Sequence, residues 1–396
     1  MQSPDSSATR VAEYSQYLRA LLPWAHGHQL KGISLFVAQI LDRQSGVQAE
    51  LARGLGNHEA ASKRLSRLLH NPRLSPAVLS SAVLEQALRQ LPTHGMVRLA
   101  LDWTSEGEQQ LLVLSLIVGR RGVPIYWRAY AEGKLKGHRS QCERGLVRRV
   151  LTRLLREVEG KRVLLTADRG FADVKLFALL EELGVFFIIR TKSSTKICLH
   201  EGERGGKQGG KQGGKRGEEW CALAKLRFSG NTRHLGLGHL LYCAHSPLRL
   251  WVTMSRARNR QGGWGVWFLA SNWPARAKLT TQEYGRRFGC EEGFRDAKWW
   301  LGFAQARIAC LQAWSRLFGL FVMALLVATS LSSVLLGMDT TQARRWVRRV
   351  ASRRRSRWEL SSVSVVLSLL RESRALLHWL SPMTKILLEP ICTNVS

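Results

Sequence analysis

Three acidic positions stand where a strand or helix could present them. Asp102 follows the apolar run "VRLAL", Asp168 follows "RVLLTA", and the adjacent pair Glu291–Glu292 lies within "YGRRFGCEEGFRDAK". A carboxylate at the end of a buried strand is costly to desolvate unless a cation meets it, and strand ends are where ligands gather in α/β sheets. Each aspartate taken alone fits a turn former as well. Spacing separates the two glutamates. With residues 284–298 read as one helix, Tyr284, Arg287, Glu291 and Lys298 share an arc of about 60° at about 100° per residue. Glu292 and Asp296 then point elsewhere. Carboxylates from two strands and a helix suit Mg²⁺, which takes oxygen ligands and keeps waters beside one or two carboxylates and a substrate phosphate. Two such ions about 3.5–4 Å apart can activate a water or a 3′-hydroxyl and stabilise the leaving oxygen of a phosphodiester. The cationic side chains on the Glu291 face would hold the phosphates in register.

The whole chain is charged to match. Its 396 residues carry 60 Lys+Arg against 29 Asp+Glu, a formal net charge of +31. Such a chain attracts polyanions, and nucleic acid comes first because phosphate neutralisation supplies most of that affinity. A hydrophobic content of 45% and 14 Trp fit poorly with a ribosome-like or membrane-surface protein. The seven cysteines (142, 198, 221, 243, 290, 310 and 392) include no CxxC pair, which argues for reduced thiols and against structural zinc. "MQSPDSSATR" has no apolar stretch, so no secretory signal is expected. The uncharged run Leu317–Met338 is long enough to cross a bilayer. Its Ser and Thr content and the arginines on both sides favour a buried core helix.

Positioning the acids requires ordered elements. Residues 1–92 read as helical, and "VQAELARGLGNHEAASKRLSRLLHNPRLSP" gives two short helices around a Gly54–Asn57 turn, with Lys63, Arg64 and Arg67 on the second. A helix-turn-helix on DNA and a plain helical bundle with a basic face both fit. From Met96 three apolar runs read as consecutive strands. A helix over 140–157, the strand "RVLLTA", the helix "DVKLFALLEELG" closed by Gly184, and the strand "VFFIIRTK" follow. Strands succeeded by alternating helix and strand describe a mixed α/β sheet. Residues 193–278 read as a β-rich insertion, and their "RGGKQGGKQGGKRG" as a solvated basic loop. Residues 279–340 return to helix. Beyond them, 341–396 carry "RRWVRRVASRRRSRW", whose arginines and tryptophans suit a phosphate backbone.

Three blocks in this order resemble a known family. "Asp102-Trp103-Thr104", "Ala167-Asp168-Arg169-Gly170-Phe171" and the spacing Tyr284-x2-Arg287-x3-Glu291-x6-Lys298 are similar to the DDE transposases of insertion-sequence family four. The resemblance implies an RNase H-like mixed sheet flanked by helices, interrupted by the β-strand insertion, with helical N- and C-terminal regions. The core would then run over 93–192 and 279–340. It implies cut-and-paste transposition with Asp102, Asp168 and Glu291 as catalytic metal ligands for two Mg²⁺ ions, Mn²⁺ substituting. Tyr284, Arg287 and Lys298 would contact phosphates near the cleaved bond, and a DNA hairpin would form at the transposon end. A tryptophan of the insertion would stack on a flipped base, with Trp267 in "Trp267-Phe268-Leu269-Ala270-Ser271-Asn272" the candidate and Trp264 its rival. The implied partners are double-stranded DNA, as terminal inverted repeats and as target, and a second copy of the chain in a homodimer. No membrane is involved, and the expected location is the bacterial cytoplasm, at the nucleoid. The alternative is a non-catalytic DNA-binding repressor or domesticated derivative.

Overall fold

A computed structural model describes residues 11, 14–16, 18–19, 22–53, 55–89, 95–118, 121–198, 220–228, 231–258, 263–337 and 362–372. The glycine–lysine run and the arginine-rich segment of the C-terminal region lie outside them. The chain divides into two compact units: Met1–Thr93 with Trp103–Glu132 and Cys290–Ser396, and His94–Asp102 with Gly133–Gly289.

In the first unit, α1 (Gly27–Arg43), α2 (Gln48–Ala52), α3 (His58–His70) and α4 (Pro76–Arg89) precede a hairpin of β2 (Gln109–Val118) and β3 (Arg121–Ala131). The hairpin register runs from Gln109↔Ala131 to Val118↔Arg121, with an irregularity between Leu114 and Ser115. Asn57 caps α3 by accepting the Ala60 N–H at 3.0 Å. The long apolar run becomes α9 (Leu311–Gly337), which packs on α1, α3, α4, β3 and α10 (Ser362–Glu372). Its stretch Leu311–Leu331 is apolar and long enough to span a bilayer, yet it is almost wholly buried inside the protein. It is the core helix. Trp127 fixes it to the sheet, donating its indole N–H to the Ser315 carbonyl at 3.1 Å and meeting Phe318 edge-on at 5.5 Å. Phe303 packs on Trp314, Phe318 and Phe321, each such buried ring contributing about 1.5–3 kcal/mol.

The second unit holds a mixed sheet in the order β1-β4-β5-β10-β9-β8-β6-β7. Strand β1 (Met96–Glu106) enters it through residues 96–101, which pair in parallel with β4 (Arg162–Ala167), and β4 pairs in parallel with β5 (Phe186–Arg190). Val163–Ala167 are all buried, as a parallel strand covered on both faces requires. The crossovers are α5 (Arg139–Glu157) and α6 (Val174–Glu182). On α5, Leu146, Val147, Val150, Leu151 and Leu154 make the inward stripe. Helix α6 is capped by Asp173, and Gly184 follows it at φ +66°, a left-handed residue that stops a helix at little steric cost.

The strands of the insertion continue this sheet antiparallel: β10 (Trp264–Ser271) on β5, then β9 (Leu248–Arg258), β8 (His234–Tyr242), β6 (Lys196–Cys198) and β7 (Trp220–Ala222). Asn272 and Ser271 pin the β10–β5 junction. Asn272 accepts the Phe187 N–H at 2.8 Å and donates to the Val185 carbonyl at 3.1 Å, while the Ser271 hydroxyl donates to the Phe187 carbonyl at 2.6 Å. The architecture is mixed α/β and compatible with an RNase H-like fold.

Candidate active site

Register brings the two aspartates together. Leu101 and Ala167 are the last paired residues of the parallel β1–β4 ladder, so Asp102 and Asp168 each follow it by one residue. Parallel neighbours lie about 4.8 Å apart, which sets the two carboxylates side by side at one end of the sheet. Thr166 tightens this end by donating its hydroxyl to the Leu99 carbonyl at 2.9 Å. Asp102 does not end its strand, since β1 runs on to Glu106; it ends the pairing with β4. Asp168 leaves the strand into a short 3₁₀ turn (Arg169–Phe171), whose Gly170 N–H it accepts at 2.7 Å. A Cβ at Gly170 would come within 3.0 Å of that same oxygen.

Helix α7 (Ala277–Gly285) delivers the next side chains. Glu283 fixes it, accepting from Arg98 of β1 through both oxygens at 2.6 and 3.0 Å. Tyr284 is thereby set among Leu164, Ile188 and Leu269, fully buried. Arg287, also buried, reaches Asp102 at 3.1 Å. Its guanidinium lies 5.7 Å from the Tyr284 ring and 5.2 Å from that of Phe288. Burial is the main cause holding the Tyr284 phenol above its ordinary pKa; Arg287 and Arg190 pull it down, and Asp168 pushes it up. Trp267, half-buried, meets Tyr284 edge-on at 5.2 Å and Phe288 at 5.8 Å, with Arg190 5.9 Å over its ring. The rival Trp264 is 56% exposed and carries Arg233 at 5.6 Å.

The segment 284–298 is not one continuous α-helix, and the single angular arc drawn from its spacing is corrected. Helix α7 ends at Gly285, and α8 (Phe288–Arg295) runs into a π-helical turn over Asp296–Trp300. The cause is local. Two glycines, Gly285 and Gly289, weaken the helix, and i→i+3 bonds from Arg286, Arg287 and Gly289 tighten the junction. The Leu301 N–H then bonds the Asp296 carbonyl five residues back at 3.0 Å. Tyr284 and Arg287 stay together, whereas Lys298 donates to the Ser105 carbonyl and pairs with Glu106 at 3.5 Å. Glu291 sits half-buried on α8. Its neighbour Glu292 accepts from Arg121 at 2.9 Å and from Arg295.

Of the basic residues proposed on the N-terminal helices, Lys63 pairs with Glu59 at 2.6 Å, and Arg64 and Arg67 are exposed on the same helix, α3. Sequence reasoning missed Arg98, Arg190 and Phe288. A cation closing the apolar strand "VFFIIR" was the available signal for Arg190; nothing in the spacing marked the Arg98–Glu283 pair.

As a donor set for a divalent ion, Asp102 and Asp168 offer hard carboxylate oxygens just past the last paired residues of two adjacent strands, which suits Mg²⁺. Arg287 already rests on Asp102 and would share that carboxylate with the ion. Among the described residues no group of three or more His, Cys, Asp or Glu side chains is placed to hold a metal. Waters and substrate phosphate would complete the shell of an ion held by the two aspartates.

No curated protein matches the chain. Residues 139–327 match the family model described as transposase DDE domain, a span that includes Asp168, Tyr284, Arg287 and Glu291 and begins after Asp102, and this match supports a DDE transposase.

Proposed function

We propose that the chain is a cut-and-paste transposase that recognises the terminal inverted repeats of its element as a homodimer, cleaves there, and joins the freed end to target DNA. The observation that carries the reading is the pair Asp102–Asp168 beside Arg287, with Asp168 and Arg287 inside the matched span and Asp102 brought to them by strand register. Asp102, Asp168 and Glu291 would hold divalent ions, Mg²⁺ with Mn²⁺ as substitute. When bound, such ions activate the attacking oxygen and stabilise the leaving one. In the first step water forms a bond to phosphorus, the P–O3′ bond breaks, and a 3′-hydroxyl is released. In the second that hydroxyl attacks a target phosphodiester, so one bond forms as one breaks and no external energy source is needed.

The chain's own residues set the geometry. Arg287, held by Asp102 and by the Tyr284 and Phe288 rings, keeps a fixed positive charge beside the carboxylates, where it would orient a non-bridging phosphate oxygen. Tyr284 and Lys298 would contact phosphates near the cleaved bond. Trp267 would stack on an extruded base and guide a hairpin at the transposon end. The action would take place on cytoplasmic, nucleoid-associated DNA.

The test uses the full-length protein, a duplex ending in the element's terminal repeat, and Mg²⁺. Asp168→Asn should bind the duplex with affinity near that of wild type and lose cleavage by on the order of 10³-fold or more, since it removes a group that acts as part of a unit. Equal cleavage by the variant would overturn the assignment. Binding by the wild type without cleavage at any metal concentration would favour a repressor.

A further inference from the structure

Helices α1 and α3 enclose a surface cavity of about 410 Å³ that the active site does not use. Its floor is made by Gly32 and Leu68, and its rim by His28, Lys31, Arg64 and Arg67. Helical spacing builds it from both sides. His28, Lys31 and Gly32 stand at i, i+3 and i+4 on α1, and Arg64, Arg67 and Leu68 repeat those intervals on α3, so each trio lies on one face of its helix. Close approach follows from Gly32, where a Cβ would lie 3.5 Å from the Leu68 side chain. A larger residue there would fill the floor. The end of α3 is held in place from the core: Arg316 of α9 donates to the Leu69 carbonyl at 3.0 Å and the Leu74 carbonyl at 3.1 Å.

The rim selects charge. None of the residues lining the cavity is acidic, and three of them carry a full positive charge at neutral pH. Lys63 is differently engaged. It bonds Glu59, four residues earlier on the same helix, at 2.6 Å, and both side chains are mostly exposed. One helical position therefore separates Lys63, which does not line the cavity, from Arg64, which does. An apolar floor beneath cationic donors converging from two helices suits a tetrahedral anion whose oxygens accept from several directions.

We infer that this cavity is a phosphate anchor for duplex DNA, in which Lys31 and His28 of α1 act together with Arg64 and Arg67 of α3 on a single backbone phosphate, and in which Lys63 takes no part. This rests on the reading of the chain as a DNA-binding protein and names the group that positions its N-terminal helices. Contacts of this kind fix register on the duplex without reading sequence.

The experiment measures binding of the full-length protein to a short labelled DNA duplex across a range of salt concentrations, with chelator present so that strand cleavage plays no role. Lys31→Ala should weaken binding to duplexes of unrelated sequence alike, with the salt slope nearly unchanged because Arg64 and Arg67 still neutralise the phosphate. The triple variant Lys31→Ala/Arg64→Ala/Arg67→Ala should lower the slope by about 1, not about 3, because the three cations neutralise the same phosphate. Lys31→Arg should restore wild-type affinity, which excludes a folding defect at this exposed position. Lys63→Ala should match wild type. A Lys31→Ala affinity equal to that of wild type overturns the anchor, as does a triple-variant slope lowered by about 3 or a loss for Lys63→Ala as large as that for Lys31→Ala. A wild-type chain that binds no duplex overturns the DNA reading itself, and the anchor with it.

Discussion

Two arginine–carboxylate clusters show how the same residue types serve different ends. In one, Arg287 meets Asp102 at 3.1 Å, the aspartate side chain is 17% exposed, and a second carboxylate follows the neighbouring strand. In the other, Arg121 lies 3.5 Å from Asp296 and 2.9 Å from Glu292, and the Asp296 side chain is fully buried. The surroundings of the second cluster are rigid: a Cβ on Gly293 would come 2.3 Å from the Gly122 carbonyl, so the chain segments carrying these acids and Arg121 touch backbone to backbone. Burial of Asp296 costs desolvation of its carboxylate, which the partly exposed Arg121 offsets. Asp102 keeps water access, an adjacent carboxylate and a cation backed by aromatic faces. What separates the two clusters is that the acids of the first follow adjacent parallel strands at one register, whereas an acid of the second is wholly buried against its arginine.

The comparison breaks most sharply at the adjacent glutamates. Glu291→Gln should abolish metal-dependent cleavage, a loss on the order of 10³-fold or more, whereas Glu292→Gln should keep most of it. Cleavage of the terminal-repeat duplex under single-turnover conditions decides the matter, and equal losses would erase the distinction between the two positions. A smaller effect is expected in the locking cluster. Arg121→Ala strands the buried Asp296 charge and should destabilise the fold by about 3 kcal/mol, read as a lower urea midpoint. A loss under about 1 kcal/mol would mean that other groups carry that carboxylate.

The smallest effect concerns Tyr284. Its phenol is held above the ordinary value of 10.0 chiefly by burial, so the fold favours the neutral form. That contribution is fully present below the unfolded pKa and is lost as pH rises through the folded one. Stability should therefore be insensitive to Tyr284 at neutral pH and fall above about pH 10. In Tyr284→Phe that alkaline fall should be shallower, as followed by urea midpoints across the alkaline range. An unchanged profile would show that Tyr284 is not the titrating group and would point to Tyr242, pushed up to about 12 by burial.

Much of this was legible in the residues. The apolar runs after Met96 and the turn signals between them fix β1 to β5, because a strand buried on both faces cannot be written with polar residues. Helix α3 follows from capping chemistry, with Asn57 placed to accept the Ala60 N–H. The stretch 284–298 was only partly legible. Its composition marked a helix, but the junction at Arg286–Arg287 and the π turn depend on bonds that period alone does not reveal. The pairing of β10 with β5, which turns the insertion into a continuation of the sheet, is a long-range contact between segments with no mutual signature.

By itself the sequence determined the chain's attraction to polyanions, the apolar strands that lead into Asp102 and Asp168, and the identity of α9 as an apolar core element, since charge, alternation and hydropathy act locally. Only the tertiary structure decided which carboxylates stand at adjacent register, that Arg287 rests on Asp102 while Arg121 serves Asp296, and that Arg64 and Arg67 line one cavity with Lys31. Those outcomes depend on strand register and on helix faces meeting across long stretches of chain, where one residue of shift exchanges one partner for another.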